Sequence, residues 1–263
     1  MKAYARVFVN QLRRKLEHKF DFFLKRLQSV IALLILYFVW INAASTKSFA
    51  GYTKLELVTY IVGANIVAAF IFAVQSRDIS FEINTGYISA ILVKPVNYFW
   101  YCFSREAAER LIAVILSVLE VCLLGVFLHF SVFVQTNPVY IFFFLVSLIL
   151  GFVLYHLICF LLSISAFWWH EAYGPRWLFE WLTIFASGQY FPLSILSVWI
   201  KAILYVTPLS LTLFFPLMIY LGRLGTGRIL TVIAAQILWI AVVALFTRFI
   251  WKRGLRIYTA EGI

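Results

Sequence analysis

Charge is scarce in this chain. Asp, Glu, Lys and Arg make up 13% of its 263 residues while 64% are hydrophobic, against about 25% charged in an ordinary soluble domain. That excludes a water-soluble globule and marks an integral membrane protein. Acids are scarcer still, 11 against 22 Lys and Arg. A net charge of +11 would suggest nucleic acid in a soluble chain. Here the basic residues stand at the ends of apolar runs, where they orient spans and meet anionic headgroups, so no nucleic-acid partner is expected. Only three cysteines occur, Cys102, Cys122 and Cys159. They lie in or beside apolar runs, which gives no sign of a disulfide framework and no metal-ligand spacing. The first 26 residues hold no short apolar core ahead of a small-residue cleavage site, so the first span is expected to serve as the insertion signal. A G-x-x-x-x-G-K-[ST] motif is missing too. Gly222, Gly225 and Gly227 make a flexible loop without the lysine and hydroxyl that phosphates and magnesium need. No cofactor is expected on this chain, and any energy must come from a partner.

What the chain does have is long apolar runs. Six candidate spans fall at about 27–44, 57–74, 107–128, 139–168, 177–189 and 229–250; the first covers about 27 Å at 1.5 Å per residue. Ahead of them, in 1–26, Phe8, Leu12, Leu16, Phe20 and Phe23 recur every three or four residues among Lys and Arg, the pattern of an amphipathic helix lying in the headgroup plane. The segment 190–221 is apolar but interrupted by Pro192, Pro208 and Pro216 and carries Lys201. Two short helices that dip into the membrane and return suit it better than one continuous span, provided protein surrounds the irregular turn. All but five of the 22 basic residues (Lys47, Lys54, Lys201, Arg223 and Arg228) then fall on one side. The positive-inside rule puts that side, with both termini, in the cytoplasm. The expected fold is therefore all-α, with six transmembrane helices.

Between the second and third spans lies Arg77 to Pro95, a polar interruption with a pattern of its own. Ile79, Ile83, Tyr87 and Ile91 recur every four residues, while Arg77, Asp78, Glu82, Asn84 and Lys94 take other faces, as in a short helix on a membrane surface. Gly86 is expected to break it, and Lys94-Pro95 to end it. This is the expected handle for a soluble partner. After an aromatic belt, Tyr98 to Phe103, the run Arg105-Glu106-Ala107-Ala108-Glu109-Arg110 is expected to open the third span with its charges paired at i,i+4.

Ionisable groups inside spans are functional candidates because of their cost there. Glu120 either contacts a cationic group on cargo, pairs with His156, or makes one helix-to-helix hydrogen bond as a neutral acid. His156 has no second ligand at metal spacing. Asn65 and Gln236 are expected to hydrogen-bond between helices. A lipid-modifying membrane enzyme using Glu120, His156, His170 and Glu171 is a rival reading, but these residues form no nucleophile-base pair in sequence. A non-transporting assembly scaffold is another.

An amphipathic lead-in, six spans, a cytoplasmic helix after the second and a re-entrant pair before the sixth together resemble the membrane subunit of an ABC-2 type transporter. Local sequence agrees. Asp78-Ile79, Glu82-Ile83, Gly86 and Ile91-Leu92 with Lys94-Pro95-Val96 look like the family's acidic-isoleucine pairs, glycine and leucine-x-x-proline. Tyr190-Phe191-Pro192-Leu193-Ser194 with Trp199 and Pro208 resembles the segment ahead of its last span. Trp251 to Gly262 resembles the tail of the branch often encoded as paired permeases. The resemblance implies an exporter half in the plasma (inner) membrane, moving an amphipathic or hydrophobic substrate. It also implies a second permease subunit, identical or paralogous, and ATPase subunits carrying ATP and Mg. Arg77, Asp78, Ile79, Glu82, Ile83 and Gly86 would form the coupling helix.

Overall fold

The computed structural model describes residues 2–17, 19–44, 49–72, 77–169 and 173–258. The described residues form eleven α-helices and no strand: α1 Lys2–Glu17, α2 Lys19–Ala43, α3 Lys54–Ile71, α4 Arg77–Asn84, α5 Ile88–Leu92, α6 Tyr98–Leu128, α7 Pro138–Ile164, α8 Tyr173–Ala186, α9 Val198–Val206, α10 Phe214–Tyr220 and α11 Thr226–Ile257. Local chemistry sets several boundaries. Thr53 opens α3 with a capping box, its hydroxyl accepting from the Glu56 amide at 3.3 Å while the Glu56 carboxylate accepts from the Thr53 amide at 2.8 Å. Asn97 caps α6 by accepting from the Trp100 amide. Asn137 caps α7, with Pro138 at its first position.

Among the described residues five helical stretches are long and apolar enough to cross a membrane: Arg26–Ala43, Lys54–Ile71, Tyr98–Leu128, Pro138–Phe167 and Thr226–Ile257. The expected fifth span, 177–189, corresponds to α8, which has 14 residues. It is about 21 Å long and falls short of a hydrocarbon core of about 30 Å by itself. The third span starts earlier than expected, because the Asn97 cap draws the aromatic belt from Tyr98 into the helix. The expected lead-in helix 1–26 is split between α1 and the start of α2. Rather than standing alone on a headgroup plane, α1 packs along α6, with Gln11 buried against Glu109 and the Tyr4 hydroxyl accepting from the Asn97 amide at 3.0 Å.

Chain direction can be followed through side-chain contacts. At one end of the bundle α4 meets the last turn of α7, where the Ser80 hydroxyl donates to the Ser163 carbonyl. There too Ser89 lies 2.9 Å from the Tyr258 hydroxyl, and Trp251 stacks on Tyr98. Both α1 and the end of α11 thus share the α4 end. At the other end Arg223 grips Glu56 through two nitrogens at 3.0 and 2.9 Å, stacks over Tyr52 and donates to the Gly51 carbonyl. Burial alone would ease that guanidinium's proton off, but the Glu56 carboxylate outweighs it and holds the Arg223 pKa above its ordinary value. Although short, α8 runs between the ends. Arg176 in its first turn donates to Ser163, and the Gly188 carbonyl just past its last turn accepts from Tyr60.

The proline-interrupted segment folds as two short helices. Pro208 forces Thr207 into an extended conformation and so ends α9. The turn from Ser210 to Leu213 is buried. It reaches deep, because Gln236, ten residues or about 15 Å along α11, donates to the Leu211 carbonyl at 2.8 Å and to the Ser147 carbonyl of α7 at 2.9 Å. Gly151 of α7 lets it in: a Cβ there would lie 2.9 Å from the Thr212 carbonyl oxygen. Around this turn Tyr60, Phe152, Tyr155, Phe214 and Leu217 form the main apolar cluster.

Candidate functional site

The distinctive surface feature of the α4 end is the α4–α5 unit itself. Gly86, with φ of +75°, adopts the left-handed conformation that separates the two helices, as its position predicts. Ile79, Ile83 and Ile91 are buried as expected, but Tyr87 is 57% exposed and Ile88 is buried in its place. The Gly86 turn resets the helical phase, so the four-residue repeat cannot run through it. The apolar face packs against α7, the 3-10 turn Ser165–Phe167 and α11 rather than against lipid headgroups. Of its large apolar side chains the unit leaves Phe81, Tyr87, Leu92 and Val93 outward. The side chains of Arg77 and Asp78 lie outside the described residues.

Glu82 corrects the expected charged docking face. It is 6% exposed and turned inward, accepting from Arg105 Nη1 at 2.5 Å and from the Tyr98 hydroxyl at 2.6 Å. Arg105 begins a buried run on α6. Glu106, next to it, accepts from the His156 ring at Nδ1 at 2.6 Å and pairs with Arg110 at 3.3 Å. Arg110 in turn donates to the Ile71 carbonyl at the end of α3 and lies 4.1 Å over the Phe152 ring. Glu109 accepts from Gln11 of α1 at 2.6 Å. The expected Glu106 and Arg110 pair is present, but the run is buried rather than a solvated opening to the span. Residues 105, 106, 109 and 110 share one helix face, flanked by apolar sequence on both sides. That shared face was the available signal for a buried polar seam, and spacing alone did not reveal it.

The seam links α4 to α6, α6 to α7, and α6 to the end of α3 and the middle of α1. A charge removed from water is stable only when its partners are in place, so the seam holds these helices in one arrangement. Phe99 and Phe103 pack edge-to-face with the His156 ring.

The structure does not bring Glu120 to His156. Glu120 accepts from Ser29 at 3.0 Å and pairs with Arg26 at 3.4 Å, tying α6 to α2. His156 belongs to the seam. Asn65 accepts from Ser117 of α6 and ties α3 to it. Of the other segment singled out in sequence, the Tyr190 carbonyl accepts from Trp40, and Pro192 is buried ahead of a short 3-10 turn. Thus Glu120 and His156 do not form a joint acid-base pair. His170 and Glu171 lie outside the described residues. Among those residues no group of His, Cys, Asp and Glu is arranged to hold a metal.

A comparison with protein-family models matches residues 27–262 to the ABC-2 family transporter protein family. The chain belongs to that family. No curated protein matches it. As an ABC-2 family protein it is a multi-pass membrane component of transport, and its helical bundle with five long apolar helices agrees with that role. Within this ABC-2 chain, the α4–α5 unit joins two of those long helices, α3 and α6, in sequence, and the seam joins α4 to α6 again in space.

Proposed function

We infer that this chain is the permease subunit of an ATP-driven exporter whose α4–α5 unit receives motion from separate ATPase subunits carrying ATP and Mg. The observation that carries this is the combination of an outward aromatic face, Phe81 and Tyr87, with an inward carboxylate, Glu82, bonded to α6. A rigid-body push on such a unit is transmitted to the helices it is bonded to, because packed elements shift as wholes. In this reading α8 and the turn that follows complete a sixth, thin pass, and α9 and α10 form the re-entrant pair. The α4 end, with both chain termini, faces the cytoplasm, where the positive-inside rule sends most of the Lys and Arg. A second permease subunit completes the pathway, and the cargo is amphipathic or hydrophobic.

The test is gentle detergent purification of the full chain from its native membrane. A nucleotide-hydrolysing partner should co-purify, and Phe81→Ala with Tyr87→Ala should release it while leaving the chain folded in the bilayer. Retention of the partner by that double variant would overturn the role given to this face, and turnover of a lipid by the chain alone would overturn the transport reading.

A further inference from the structure

A cavity of about 480 Å³ opens at the α4 end between the first turn of α6, the last turns of α7 and the last third of α11. Aromatic rings of Phe99, Trp100, Phe160 and Trp251 wall it, and Arg248 and Lys252 line it from α11. Those two cations are four residues apart on one helix face, an arrangement that is unfavourable unless something anionic lies between them. Both are exposed, no acid lines the cavity, and neither forms an ion pair among the described residues. Thr247 also lines it. It is 6% exposed, and its hydroxyl is buried with no hydrogen-bond partner among the described residues.

Two cations with no acid partner among the described residues form an anion-binding pair, and charged acceptors make the stronger hydrogen bonds. The surroundings identify the rest of the ligand. α11 is long and apolar enough to cross a membrane, the cavity lies at its final turns, and tryptophans flank it, as they do where headgroups meet acyl chains. A soluble anion would leave Trp100, which is 53% exposed, uncovered.

The structure assigns this cavity to the phosphate-bearing headgroup of an anionic membrane lipid. The phosphate sits between Arg248 and Lys252, with the glycerol region against Trp100 and Trp251. Tyr98 lines the same cavity and donates to Glu82, so the headgroup rests beside the link between α4 and α6.

Native mass spectrometry of the detergent-purified full chain, offered equal phosphatidylglycerol and phosphatidylcholine, tests this. Wild type should retain phosphatidylglycerol about tenfold more strongly, and Arg248→Ala with Lys252→Ala should remove that preference. Arg248→Gln alone should weaken it. The matched control is Arg253→Ala with Arg256→Ala, which removes the same charge from the same helix end; Arg253 lies over the Phe249 ring and does not line the cavity. That control should keep the preference. Equal losses in the two double variants would show diffuse charge at work and overturn the site. Displacement of phosphatidylglycerol by inorganic phosphate would overturn the lipid assignment in favour of a soluble anion. Should the first double variant misfold, unchanged preference in Arg248→Gln alone would itself count against the proposal.

Discussion

Glu82 and Arg105 meet with side chains 8% and 6% exposed, and the Tyr98 hydroxyl completes the carboxylate's shell. A buried pair of this kind contributes little net stability relative to apolar residues, yet losing one partner strands the other charge at a cost of about 3–5 kcal/mol. Glu82→Ala is therefore expected to be far more destabilising than Glu82→Leu combined with Arg105→Met, which removes both charges together. Thermal unfolding of the three proteins in one detergent checks this. Equal loss in the single and double variants would mean that the pair is not the element that holds α4. The same comparison explains why sequence misplaced Glu82. Three residues on from Ile79, it borders the buried stripe of α4, and a lone helix does not say whether such a border faces in or out. The reason lies 23 residues further along, in Arg105. Glu120 makes the helix-to-helix hydrogen bond that was one of its expected alternatives, from Ser29, but its charged partner was hidden for a related cause. Its partner Arg26 closes a basic stretch that reads as headgroup-facing, whereas α2 carries it to α6.

Elements were more legible than contacts. Long apolar runs give away the spans because hydropathy is summed over many residues, and Gly86 marks the end of α4 because few other residues accept its backbone conformation. The limit is phase: sequence cannot say how far a turn rotates the next helix, hence Tyr87 outside and Ile88 inside. The break at Gly86 yields a prediction. Gly86→Ala places a Cβ in the left-handed region at a cost of about 1–2 kcal/mol and favours running α4 on into α5, which would carry Tyr87 away from its exposed position. Gly86→Asn, tolerated in that conformation, should retain most of the wild-type behaviour. ATP hydrolysis coupled to transport in the reconstituted complex distinguishes them: alanine should lower transport per ATP and asparagine should largely keep it. Identical coupling in both would show that the bend is incidental. The segment holding α9 and α10 was legible for a different reason. Prolines at 192, 208 and 216 deny a continuous helix, apolarity denies a surface loop, and Gln236 supplies the buried turn with a donor.

At the scale of the whole molecule the chain has to pass an even number of times for α1 and the end of α11 to share the α4 end, as Tyr4 with Asn97 and Tyr258 with Ser89 require. Five long helices among the described residues give an odd number, so in the proposed reading the remaining pass falls to the stretch from α8 to Gly188, which connects Ser163 at one end to Tyr60 toward the other. That assignment is open to a direct measurement. Val93, 84% exposed after α5, and Thr136, exposed between α6 and α7, stand at opposite ends. With the three native cysteines replaced, Thr136→Cys should react with a membrane-impermeant maleimide in intact cells. Val93→Cys should react only after permeabilisation, as should a cysteine placed at Arg253 near the end of α11. If Arg253→Cys were labelled from outside while Val93→Cys was not, α8 would not cross and the two termini would be separated by the membrane. Labelling of Val93→Cys in intact cells would remove the α4–α5 unit from the reach of any cytoplasmic ATPase.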